Sequence, residues 1–147
     1  MVDIETEIFT NVATKLRNKY GAKFTVYGET VLAPSEFPCA CIEESDNYAH
    51  TQTQDSGSNE NHADLVYDVN VYSNKRNGKK AECKEILAVI DEYFTGIGFA
   101  RITKNPISLD DATKYRLFAR YAAVASQDGT IYRRSRKWLF LLTKCSL

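Results

Sequence analysis

Hydrophobic and polar positions along the chain follow two periods. The change between them is sharpest in HADLVYDVNVYSNKRNGKKAECKEILAVIDEYF, residues 62–94. In the first half Leu65, Tyr67, Val69 and Val71 alternate with Val66, Asp68, Asn70 and Tyr72. A period of two marks a strand with one buried face. In the second half Cys83, Ile86, Leu87, Ile90, Tyr93 and Phe94 recur at steps of three and four, one stripe of an amphipathic helix. The polar run 73–78 turns the chain between them. A strand and a helix joined in this way must bury their apolar faces, which predicts a sheet carrying helices.

The rest of the chain extends this pattern. Ile4, Ile8, Val12 and Leu16, widened by Phe9 and Ala13, predict a helix over 3–19, with Asp3 as N-cap and a left-handed stop at Gly21. Short strands are predicted at 23–27 and 39–45, the second with Cys39, Cys41 and Glu43 on one face and Ala40, Ile42 and Glu44 on the other. Between them Pro34 and Pro38 hold an irregular segment extended. Gly96 and Gly98 close the second helix, and a strand over 99–103 is expected to break at Lys104-Asn105-Pro106. A long strand over 112–126 places Tyr115, Leu117, Ala119, Tyr121 and Ala123 together. Gln127-Asp128-Gly129 predicts a primed hairpin turn into a last strand over 130–134. The expected class is α+β: a single mixed, mostly antiparallel sheet with two helices on one face.

Residues 46–61, DNYAHTQTQDSGSNEN, are almost wholly polar and join two strands that can pair antiparallel. A connection of this length predicts a long projecting hairpin arm, with a plain surface loop as the alternative. At the other end, Trp138 to Leu142 is apolar on every side. It must bury against this domain or a neighbouring subunit.

Composition narrows the functional classes. The 147 residues, 44% of them apolar, make one domain with a core. Nineteen basic against nineteen acidic side chains argue against bulk neutralisation of nucleic acid or membrane. The acidic start MVDIETEIF is unlike a secretion signal, and no apolar run is long enough to span a membrane. Cys39, Cys41, Cys83 and Cys145 form no disulfide framework, so a reducing compartment is expected. The glycines form no phosphate-binding loop, and there is no Gly-x-Ser-x-Gly elbow. Glu43 and Glu44 point to opposite faces and cannot share a proton, and Asp110-Asp111 suits a turn. Cys39, Cys41 and a histidine match no zinc spacing. The residues therefore predict no enzyme, metal or cofactor site.

Candidate contact residues remain. The arm offers Tyr48, His50, Gln52, Gln54, Asp55, Asn59 and His62. Lys75, Arg76, Lys79 and Lys80 surround the start of the second helix, where cations oppose the helix dipole. Arg133 and Arg134, with Arg136 and Lys137, form a second basic cluster beside Tyr132 and Trp138. Nine tyrosines also lean towards an interaction protein, since tyrosine suits surfaces with one wet end.

The run NENHADLVYDVNVYSNKRNGKKAECKEILAVIDEYFTGIGF, then NPISLDDATKYRLFARYAA and DGTIYRR, resembles the tail-terminator or tail-completion proteins of tailed bacteriophages and prophages. The phrases VYDVNVYSN, GKKAECK and YRLFARY carry it, over residues 1–134; residues 135–147 form a C-terminal extension outside the family pattern. The resemblance implies a protomer that assembles into a homohexameric ring in the bacterial host cytoplasm and ends in the virion neck. The ring would cap the tail tube, stop its polymerisation and offer a joining surface to the head-completion protein, and to the sheath in a contractile tail. DNA would pass through the lumen unread. No catalytic residue, cofactor or membrane is implied. The alternatives are a head-completion (stopper) protein, or a small nucleic-acid-binding module using the two basic clusters.

Overall fold

A computed structural model of the chain describes residues 1–49 and 62–132. In order, the elements are α1 (Glu5–Tyr20), β1 (Thr25–Tyr27), β2 (Cys39–Ala49), β3 (His62–Ser73), α2 (Lys79–Ile97), β4 (Ala100–Ile107), β5 (Tyr115–Ser126) and β6 (Ile131–Tyr132). The strands form one mixed sheet in the order β1-β2-β3-β5-β4, with β6 also paired to β5. Only β1 and β2 run parallel. The class is α+β, as the alternation of periods predicts.

Both helices lie on one face. Ile8, Val12 and Leu16 of α1 and Ile86, Leu87, Ile90 and Phe94 of α2 share a single buried cluster with Leu65, Tyr67, Val69 and Val71 of β3 and Leu117, Ala119, Tyr121 and Ala123 of β5. Every position in the predicted α2 stripe is buried. Phe94 lies at the aromatic centre, stacked on Tyr121 with ring centroids 4.5 Å apart and meeting Phe99 edge-on at 5.2 Å.

The helix ends show how local chemistry sets boundaries. α1 begins at Glu5 with Ile4 as N-cap, and Asp3 lies one residue further out, accepting the Glu5 N–H at 3.2 Å. Gly21 has a positive φ of 113°, which favours glycine, but its ψ of 154° is not that of the predicted left-handed helical stop. Gly98 does take the left-handed cap, at φ 111° and ψ 3°. The Phe99 N–H then donates to the Phe94 carbonyl (2.9 Å) and the Gly98 N–H to the Thr95 carbonyl (3.3 Å). The Phe94–Phe99 ring contact seals this pair of bonds, as such caps commonly do. A Cβ at Gly98 would meet Ile131 Cγ2 at 3.1 Å. Gly98→Ala is therefore expected to lower stability by more than about 1 kcal/mol, read as a fall in urea midpoint.

Three strand expectations are corrected. β2 runs past Ser45 to Ala49, because a bulge between Glu44 and Asp46 carries its pairing with β3 onward to Ala49↔Ala63. β4 does not break at Lys104-Asn105-Pro106; Pro106 is paired opposite Leu117. β4 is an edge strand, so its unpartnered side tolerates the missing N–H. The β5–β6 turn is a three-residue connection with only Gly129 left-handed (φ 87°), its N–H donating to the Ser126 carbonyl at 3.0 Å. That is the bulged hairpin turn and not the two-residue primed one. The predicted last strand is described to Tyr132, opposite Val124; two residues further along β5, Ala122 is paired with Ala100 of β4.

Candidate interaction surface

The parallel pairing of β1 and β2 decides what covers the second face. Two parallel neighbours need a connection that travels back along the strand. With the helices on one face, residues 28–38 return over the other. Val31 and Phe37 of that segment pack on Cys39, Cys41 and Tyr72, together with Tyr27 and Leu109. Burial pushes the Cys39 thiol up to about 12, and it raises Cys41 as well. These cysteines are small apolar core residues, consistent with the sequence expectation. The Tyr72 hydroxyl is buried here without a hydrogen-bond partner among the described residues, while the Arg116 guanidinium lies 5.5 Å from its ring centroid. Tyr72→Phe removes an orphaned polar group, so it is expected to leave the urea midpoint unchanged or raise it slightly.

The remainder of this face is uncovered among the described residues. It carries Val66 and Asp68 of β3 opposite Ala122 and Arg120 of β5. Asp68 and Arg120 form a two-point ion pair at 2.8 and 3.1 Å, and Arg116 Nε donates to Asn70 Oδ1 at 2.9 Å. The Arg120 guanidinium also lies 5.6 Å from the Phe118 ring centroid. Beside this polar row is a shallow concavity of about 350 Å³ lined by Asp46, Tyr48, Asp64, Val66, Ile102 and Ala122, among others. Tyr48 and Ile102 on it are 51% and 52% exposed, and Tyr132 is 49% exposed.

The predicted contact residues divide between the two ends of the sheet. Tyr48 lies on β2 at the base of the arm, in the concavity. His62 opens β3 at the same end, its ring centroid 5.3 Å from that of Tyr132. Lys75, Arg76, Lys79 and Lys80 lie beyond the other end of the 12-residue β3, roughly 40 Å away at strand rise. Lys75, Arg76 and Lys80 are exposed, and Lys79 is half-buried. Glu82 in the first turn of α2 offsets these cations, and the Ser73 hydroxyl donates to its Oε1 at 2.7 Å. His50, Gln52, Gln54, Asp55, Asn59, Arg133, Arg134 and Trp138 lie outside the described residues.

Three of the nine tyrosines belong to the fully buried core and not to a contact surface. Tyr67, Tyr72 and Tyr121 are at most 1% exposed. Two of them bury their rings while handing the hydroxyl to a carboxylate: Tyr67 to Glu44 Oε2 and Tyr121 to Asp91 Oδ1, each at 2.8 Å. Glu44 is thus a core partner on the helix side. Glu43 instead accepts the Thr30 hydroxyl at 2.6 Å, as opposite faces require. Asp111 accepts the Thr113 N–H at 2.9 Å, and hydrogen bonds from Thr113 hold its carboxyl below the usual range; this is turn chemistry.

Sequence reasoning missed Ile102, Phe118, Arg116 and Arg120. A signal was present. The even-numbered positions of β3 and β5 include Val66, Phe118, Ala122 and Val124, more apolar than a solvated sheet face usually is. No protein-family model and no curated protein matches the chain.

Proposed function

We propose that this protein is a tail terminator: a structural virion protein that forms a homohexameric ring on the end of a phage tail tube, stops its growth and presents the head-joining surface. The observation that carries the reading is the paired base of the arm. Past the bulge at Glu44/Asp46, β2 and β3 stay paired to Ala49↔Ala63, so the polar connection 50–61 leaves from a corner of the sheet. A ring protomer needs unlike surfaces that mate with a neighbour through rotation. The corner where residues 50–61 leave the sheet and the edge of β4, unpaired among the described residues, are unlike surfaces on one body. Lys104, Pro106 and the bulge at Arg101/Thr103 protect that edge from indiscriminate strand pairing. The resemblance of residues 1–134 to terminators adds the partners: the tube protein, the head-completion protein and, in a contractile tail, the sheath.

The test uses tail-tube subunits polymerising in vitro. Added protein is expected to arrest elongation and leave capped ends. Deleting residues 50–60 is expected to leave a folded protomer, by circular dichroism, that no longer caps. Unchanged tube lengths with the full chain would reject the reading. Normal capping by the deletion would remove the arm from it.

A further inference from the structure

We propose that the apolar C-terminal segment Trp138–Leu142 docks in cis on the uncovered half of the sheet face, in the concavity between Tyr48, Val66, Ile102 and Ala122. The place where the described chain ends points there. Tyr132 is paired opposite Val124, two residues along β5 from Ala122 in the concavity lining. Directly opposite residues on paired strands share a face, so Tyr132 stands on the uncovered face, where its ring also meets His62. Ala122, two residues further along β5, is paired with Ala100 of β4. The six residues from Tyr132 to Trp138 span about 20 Å when extended, and two residues along a strand cover about 7 Å. The tether therefore reaches its own concavity with slack, and a short flexible tether gives the segment a high effective concentration there.

Chemistry agrees with distance. The tether carries Arg133, Arg134, Arg136 and Lys137. The concavity has the exposed carboxylate of Asp46 at its edge, and the one cation in its lining, Arg120, is already paired with Asp68. An apolar run behind a basic tether matches an apolar floor with a carboxylate at its edge. This docking does not depend on the ring reading, and its test uses neither tail tubes nor DNA.

Trp138 is the only tryptophan in the chain, so its fluorescence reports the segment directly. In full-length protein at concentrations where it is a monomer, its emission is expected to be blue-shifted from that of free indole in water and poorly quenched by acrylamide. Ile102→Lys, at a half-exposed position, is expected to shift the emission to the red and restore quenching without altering far-ultraviolet circular dichroism. Val124→Lys serves as a second face variant. Ala88→Lys, exposed on α2, is expected to leave the emission unchanged. Solvated-indole emission in the folded monomer would overturn the proposal. So would a blue shift that both face variants leave intact, which would place the segment elsewhere. A blue shift lost on dilution together with a change in mass would give the occupancy to a second copy and also overturn docking in cis.

Discussion

Phe94→Ala is expected to be the most damaging single truncation in the described core, lowering stability by about 3–5 kcal/mol. Phe94 is 0% exposed. Its ring stacks on Tyr121 at 4.5 Å with an 8° interplanar angle, meets Phe99 edge-on, and contacts Tyr67 and Tyr93, each at 5.8 Å between centroids. One side chain therefore joins α2 to both central strands, β3 and β5. These neighbours are themselves fixed, with Tyr67 and Tyr121 tethered through their hydroxyls to Glu44 and Asp91. The site cannot collapse easily around the missing ring, which puts the cost at the upper end for such changes. Phe94 also sits in the cap at Gly98, so truncation loosens the end of α2 as well. Against a total of about 5–15 kcal/mol for a domain, this is a large fraction. Urea unfolding followed by circular dichroism should show the midpoint falling by about 2 M at unchanged slope. Phe118→Ala, on the uncovered face, should cost much less. An equal or greater loss for Phe118→Ala would contradict this placement of the core.

Alkaline pH is expected to unfold the protein well before its backbone chemistry is at risk. Burial pushes the Cys39 and Cys83 thiols up from 9.0 to about 12. Burial, followed by the hydrogen bond to a carboxylate, raises the Tyr67 and Tyr121 hydroxyls above their ordinary 10.0. In each case the folded state holds its proton to a higher pH than the unfolded chain does. Stability from these groups is complete below about pH 9 and is lost as pH rises toward 12, because the unfolded chain releases protons first. Each group contributes about 1.4 kcal/mol per pH unit once its unfolded form is ionised. Two thiols and two phenols together remove several kcal/mol by pH 11. The urea midpoint should therefore fall steeply between pH 9 and pH 11, and a Cys39→Ala, Cys83→Ala double variant should flatten the early part of the fall. A midpoint that stays constant over that range would contradict the burial of these groups.

Periodicity made the layers of the fold legible in the sequence. Leu65, Tyr67, Val69 and Val71 announce a buried strand face, and the α2 stripe names the residues that cover it, because one physical cause, burial on one side, sets both patterns. Features governed by pairing geometry were not legible. The bulges at Glu44/Asp46 and Arg101/Thr103 depend on what lies across the ladder, and β4 continues through Pro106 as an edge strand with no partner on its far side among the described residues. Composition misled where it ignored position. A high tyrosine count suggested surface contacts, but the same ring-plus-hydroxyl chemistry places Tyr67 and Tyr121 in the core with carboxylate partners. The candidate surface was half legible. Polarity marked the arm, and its base at Tyr48 and His62 adjoins the concavity, but the contribution of Ile102 and Phe118 required the sheet order.

The central claim is ring assembly at the end of a tube. The most direct measurement is the mass of the protein alone and bound to purified tail tubes, with negative-stain images of the tube ends. The account predicts a closed assembly of about six copies of the 16.6 kDa chain, either free or appearing only on tube ends. A chain that remains a single copy and ignores tube ends would contradict it.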